Sequence, residues 1–393
     1  MKLERFLLAL FLFSIPFQSR IILVQWSAPF NEWTTAFLWG TDLLVIGLLI
    51  LWMLTNPPYG RYVNKWLAVF LLCALVSIFN AILPAVAWYR WLKLAEYIFV
   101  FWYMVWRAPQ VFSLDTIARI VFYSAAFQSI IAITQYLLQH SIGLKILGES
   151  VLAIDMPGVA VVVANGERFL RAYGTFPHPN LLALWLVFGI WAFWYLSKKS
   201  KFLYFVYALI LVALVLTFSR TVIAFWVIGS FFLFRKQFIK LSIFTVLVLA
   251  FTTILVLPQM ASRARISVDD EGISQRVFFN KQAIESSRSH LIIGNGIGQF
   301  VPVLLKNLSS YPRYIYQPAH NVYLLVLNET GILGLLIFSI FLARIAWQIR
   351  ADKFKIVIFL TICGISLLDH YPWTLQQGGL MFWGMLGILE SQS

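Results

Sequence analysis

The stretch Phe202–Phe234, FLYFVYALILVALVLTFSRTVIAFWVIGSFFLF, is apolar throughout except at its centre, where Ser219-Arg220-Thr221 interrupts it. Read as one helix, it places the preceding Lys198-Lys199-Ser200-Lys201 and the following Arg235-Lys236 on opposite sides of a bilayer. Read as two helices, it keeps both basic clusters on one side, as the enrichment of Lys and Arg in cytoplasmic loops requires. The second limb, 221–234, then measures about 21 Å at 1.5 Å per residue, short of the roughly 30 Å hydrocarbon layer. Arg220 is therefore expected at a turn sunk below the outer surface. A charge at that depth is costly and marks a functional site by default; the alternative is a salt bridge to a buried acid, with Glu96 or Asp42 as partner.

The rest of the chain follows the same pattern. Of 393 residues, 61% are hydrophobic and 12% charged, against roughly 45–50% and 25% in soluble domains. Apolar runs long enough to cross a membrane recur, as at 36–55, 65–83 and 239–257. The composition describes an all-α integral membrane protein. Helices are expected near 5–25, 36–55, 65–84, 88–106, 115–138, 179–196, 202–218, 221–234, 238–258, 320–342, 354–369 and 373–389, about twelve in all. Met1–Phe17, basic residues followed by an apolar run, imitates a signal peptide, but Phe17-Gln18-Ser19-Arg20 is a poor cleavage site, so it is read as the first membrane helix. Cys73 and Cys363 lie in apolar runs and read as small hydrophobes.

The formal net charge of +14 raises nucleic acid as a partner, but its distribution argues against that. The basic residues sit in short loops between apolar runs. With a cytoplasmic N-terminus, sixteen of the 30 Lys and Arg fall at cytoplasmic ends, from Lys2 and Arg5 to Lys353 and Lys355. The short outer connections hold only Arg20, Arg90 and Lys93. That asymmetry expects a multi-pass protein of the cell's inner membrane, with both termini cytoplasmic and membrane lipid around it. The layout is a single polytopic domain over 1–393. Helices one to five and the start of a long outer loop occupy 1–164. Helices six to nine follow in 165–258, a large extracytoplasmic, partly helical loop in 259–319, and the last three helices in 320–393.

Three polar regions converge on the outer face in this reading. The first ends in Arg171-Ala172-Tyr173-Gly174-Thr175-Phe176-Pro177-His178-Pro179-Asn180, where Pro179 suits a first helical turn. His178 and Asn180 read equally as a capped helix start or as site residues. The second is Arg220. The third is the loop 259–318, carrying Arg263, Arg265, Arg276, Lys281, Arg288, Lys306 and Arg313 among aromatic residues; Ile273–Ser287 is a candidate amphipathic helix with Arg276 and Asn280 one turn apart. His320 follows at a helix N-terminus, whose partial positive charge disfavours imidazolium. A neutral histidine there is what a general base requires, and a structural histidine fits equally. Gly294-Asn295-Gly296-Ile297-Gly298 imitates a phosphate loop without the strand–turn–helix context, so a turn after a helix is the better reading. Asp269-Asp270-Glu271 reads as a solvated helix start in preference to a cation site.

At these positions the chain resembles the O-antigen ligase and O-antigen polymerase superfamily. The resemblance rests on Arg171–Asn180, Ser219-Arg220-Thr221, Gly294–Phe300, the run from His320 to Gly334 (HNVYLLVLNETGILG) and Asp369–Gly378. It implies a membrane glycosyltransferase of the lipid-sugar-dependent type, metal-independent, inverting and without cofactor. Such an enzyme takes a glycan from an undecaprenyl-pyrophosphate carrier on the outer side. A ligase passes it to lipid A core; a polymerase passes it to another carrier-linked repeat unit. Carried over, Arg220 and Arg276 grip pyrophosphate and His320 activates the acceptor hydroxyl, with Arg265 and Arg288 as rivals of Arg276 in the same loop. Arg171, His178, Asn180, Arg265, Arg288, Asn321 and Tyr323 are the candidates for binding substrate. Arginine suits the pyrophosphate role through permanently charged, bidentate contacts. A small-anion transporter with Arg171 and Arg220 along its path is the alternative of another class; it predicts an internal repeat, and none is visible in the sequence.

Overall fold

The computed structural model describes residues 2–54, 65–196, 200–233, 239–264, 271–308 and 316–391. It is mostly helical, at 74%. The expected break in the opening stretch is present: helices Lys201–Leu216 and Arg220–Leu233 are separated by a turn in which Phe218 takes a left-handed φ of +48°. Among the described residues, Leu114–Leu138 and Val322–Ile349 are long and apolar enough to cross a membrane. Ser242–Leu255 and Leu257–Ala264 make a third span only if their 93° bend is counted within one. Shorter apolar helices fill five further expected positions: Gly40–Leu54, Lys65–Asn80, Pro179–Tyr195, Lys201–Leu216 and Arg220–Leu233.

The first helix departs from expectation. It runs Lys2–Ser14 and not 5–25, and Arg20–Gln25 is a strand paired with Thr35–Trp39. Pro16 cannot donate the next helical hydrogen bond, and the following Ile21-Ile22-Leu23-Val24 is rich in β-formers. A second hairpin, Val161–Ala164 with Glu167–Leu170, also lies outside the sequence expectation. Asn165-Gly166 joins its strands, both residues at positive φ, as a tight hairpin turn requires.

The helices divide between two compact units. One comprises 1–20, 39–44 and 109–267. Its centre is Pro179–Tyr195, buried at every position from Leu181 to Phe193, as expected of a helix apolar all round. It packs against Leu114–Leu138 and Lys201–Leu216. The polar segment before it is held by two glutamines with no exposure. Gln135 Oε1 accepts from the Gly174 amide at 2.8 Å, and Gln128 Oε1 from the Thr175 amide at 2.8 Å.

The other unit comprises 21–38, 45–108 and 268–393. Pro84–Trp106 packs on Gln376–Glu390, and Lys65–Ser77 on Val322–Ile349. The last of these is interrupted at Gly331, whose φ of +72° and ψ of −175° are non-helical. The glycine loop docks on that break. Asn295 N–H donates to Asn328 O at 2.8 Å, Gly296 N–H to Glu329 O at 3.1 Å, and Ile332 N–H to Leu291 O at 2.8 Å. The Glu329 carboxylate accepts from the Gly298 and Phe300 amides and from Trp373 Nε1 at 2.8 Å. The loop thus turns the chain after a helix, and its amides are spent on a carboxylate of the protein itself.

Candidate active site

In the first unit, Arg171 is 5% exposed. Its Nε donates to Thr217 O at 2.7 Å and its Nη2 to Asn180 Oδ1 at 2.8 Å. His178 is the N-cap of Pro179–Tyr195, its Nδ1 accepting from the Asn180 amide at 3.1 Å. Pro179 takes the first-turn position its missing N–H suits. The structure therefore joins Arg171 to Asn180 and gives His178 a capping role. Arg220 begins its helix half-buried, and its Nη1 donates to Arg263 O at 3.2 Å. Asp42 accepts from the Trp39 amide at 3.1 Å.

In the second unit, Glu271–Ser287 forms a helix over the expected amphipathic segment. It brings half-buried Arg276 and Phe279 to His320. The rings of Phe279 and His320 stack at 6.1 Å. Phe279 belongs to an apolar cluster with Ala283, Phe300, Ala319 and Leu325, so the wall behind the imidazole is dry. Burial, and secondly the Arg276 charge, lower the His320 pKa from 6.5 to about 4. The neutral ring expected from the helix terminus is found, with burial as its main cause. The buried Nδ1 of His320 has no hydrogen-bond partner among the described residues.

The remaining candidates divide differently. Asn321 caps Val322–Ile349, its Oδ1 accepting from the Leu324 amide at 3.0 Å. Tyr323 donates its hydroxyl to Cys363 O at 3.2 Å. Arg288 is exposed just beyond the Arg276 helix. Arg265 lies outside the described residues, as do Asp269, Asp270 and Arg313.

Sequence reasoning missed Asp369 and His370 as neighbours of His320. The His320 and His370 rings meet edge to face at 5.0 Å. The His370 amide donates to Asp369 Oδ1 at 2.9 Å, and His370 Nδ1 shares a hydrogen bond with Thr374 Oγ1 at 2.6 Å. The signal available was Asp369-His370-Tyr371-Pro372-Trp373, five site-forming residue types in a row between two apolar helices. His320, Asp369 and His370 also offer donor atoms within 4.8 Å of one another, the residue types a metal takes. Asp369 Oδ1 and His370 Nδ1 are already hydrogen-bonded, to the His370 amide and to Thr374.

Each unit thus sets polar side chains among apolar helices: Arg171 and Arg220 in the first, Arg276 and a neutral His320 in the second. Residues 205–339, 135 of the 393, match the family described as O-Antigen ligase, so this part of the chain is similar to the O-antigen ligase/polymerase superfamily. The match contains Arg220, Arg276 and His320 and stops short of Arg171 and His370. No curated protein matches the chain. The family is one of ligase- and polymerase-type glycosyl transfer, with lipid-linked glycans as substrates in a membrane setting.

Proposed function

We propose that the protein is an O-antigen ligase-like, inverting glycosyltransferase. It moves a glycan from undecaprenyl pyrophosphate to an acceptor hydroxyl, such as one on lipid A core, at the outer face of the inner membrane. The observation that carries this reading is a neutral, half-buried His320 beside Arg276, inside the matched segment. The acceptor O–H gives its proton to His320 as its oxygen bonds to the anomeric carbon. The bond from that carbon to pyrophosphate breaks, and its electron pair leaves on the phosphate oxygen. Arg276 balances the charge that develops there, the part played elsewhere by a metal, and the resemblance of Ser219-Arg220-Thr221 to the family assigns Arg220 to pyrophosphate as well. Bound pyrophosphate also offsets the Arg276 charge felt by His320, which strengthens the base when the donor is present. Arg171, His178 and Asn180, proposed to bind substrate, also fix the segment that enters Pro179–Tyr195.

The reading includes about twelve spans with cytoplasmic termini, supported by the sixteen-to-three charge asymmetry. Purified protein given undecaprenyl-pyrophosphate glycan and lipid A core tests the activity. Transfer by wild type, its loss in His320→Ala and its persistence in a chelator are expected. Full activity of His320→Ala would sink the mechanism, and a product built only on a second carrier-linked unit would make the protein a polymerase.

A further inference from the structure

The second unit contains a pocket that the chemistry above leaves unused. It is open to the surface and is lined by Trp33, Arg90, Lys93, Tyr97, Glu329 and Trp373, among others. Arg90 and Lys93, expected from the sequence on a short outer connection, lie inside the helix Pro84–Trp106, and both line the pocket.

Each charged group in and behind this pocket is held in place. Arg90 Nη1 donates to Thr374 O at 2.9 Å. Its stem lies against Gly298, where a Cβ would stand 2.4 Å from Arg90 Cγ. Lys93 is paired with Glu96. Glu96 also accepts from Gln376 Nε2 at 3.2 Å, and Gln376 accepts from the Tyr97 hydroxyl at 3.1 Å. Trp373 Nε1 is tied to Glu329. Both basic side chains thus already have protein partners, which favours a neutral ligand over a free anion. Rigid donors and acceptors set among aromatic rings suit a sugar, whose C–H face lies on a ring while its hydroxyls take the polar groups.

The pocket is also next to the base. Trp33 meets His370 edge to face at 5.5 Å, His370 meets His320 at 5.0 Å, and the lining residue Pro318 is two positions before His320. We infer that this pocket is the acceptor subsite, seating a neutral pyranose on Trp33 with its hydroxyls toward Arg90 and Lys93. The inference rests on the glycosyl-transfer reading and names the substrate class on its acceptor side.

Saturation-transfer NMR on the full chain in phospholipid nanodiscs, free of glycoside detergent, tests it. The probes are the methyl glycosides of glucose, galactose and N-acetylglucosamine. At least one is expected to give a signal that Trp33→Ala weakens by about three- to tenfold, the size of a lost aromatic contact, and Trp33→Phe partly keeps. Where Trp33→Ala is not monodisperse, Lys93→Met takes its place at nearly constant volume. No signal from any probe, or a signal undiminished in a monodisperse variant, overturns the inference. A pocket signal in a wild-type protein that transfers no glycan would refute the transfer reading and leave the pocket standing; transfer without a pocket signal would refute the pocket alone.

Discussion

His320 and His370 meet edge to face, their ring centroids 5.0 Å apart and their planes at 84°. The two lie fifty positions apart in the chain, yet one ring fixes the position of the other. His370 is in turn fixed by Thr374 and by the edge of Trp33. Such a chain of contacts holds a base in a single orientation before substrate arrives, which is the condition for efficient proton transfer.

His370→Ala should therefore lower glycan transfer by about 10- to 100-fold, the penalty of a misplaced catalytic group. His370→Phe, which keeps an edge-on ring, should recover part of that loss. Rates measured at saturating donor separate the two; equal activity of His370→Ala and wild type would remove His370 from the positioning role.

Acid should act on His320 late. Its pKa is lowered to about 4 from 6.5, so the ring stays neutral and transfer persists as pH falls through 6. The sign for stability follows: the unfolded chain binds the proton first, so stability present above about pH 6.5 declines as pH drops toward 4. Arg276→Gln removes the second cause of the shift, so its acidic limb of transfer should lie at higher pH than that of wild type. A pH–rate profile of both proteins checks this.

Arg220→Ala should reduce transfer on the order of 10²- to 10³-fold, as loss of one charge-stabilising group does. Arg220→Lys should restore only part, because a lysine keeps the charge and loses the two-pronged phosphate contact. A Lys variant with wild-type rate would argue against bidentate phosphate binding.

Arg171 bridges Thr217 O and Asn180 Oδ1 with two separate nitrogens. Arg171→Lys can satisfy one of these at most, and should cost about 1–3 kcal/mol of stability through the partner left unpaired. Thermal unfolding monitored by size-exclusion fluorescence reads that loss.

Gly331 stands at the break of Val322–Ile349 with φ +72°, where a Cβ would lie 2.2 Å from Ile292 O. Gly331→Ala should destabilise by about 2 kcal/mol or more, since both the backbone strain and the clash with main chain oppose it. The same unfolding measurement tests it, and an unchanged midpoint would show that the glycine loop docks elsewhere.

The order of residues alone determined the helical class, the split around Ser219-Arg220 and the first-turn place of Pro179. Apolar length, a central polar interruption and proline's missing donor are properties of a few neighbouring residues. The same local logic marked Arg276 and His320 as candidates. The Asn165-Gly166 hairpin was not expected from the sequence: its strands are four residues each, too short for alternation to mark them.

Tertiary structure alone decided what surrounds those candidates. The stack of Phe279 on His320, the edge of His370, and the capture of Glu329 by the glycine loop each join residues more than thirty positions apart. So do the contacts that line the Arg90 and Lys93 pocket. Burial and charge at a side chain depend on which distant segments pack there, and no local pattern carries that choice. The neutrality of His320 shows the difference: the helix terminus suggested it, but a dry apolar wall and a neighbouring arginine brought it about.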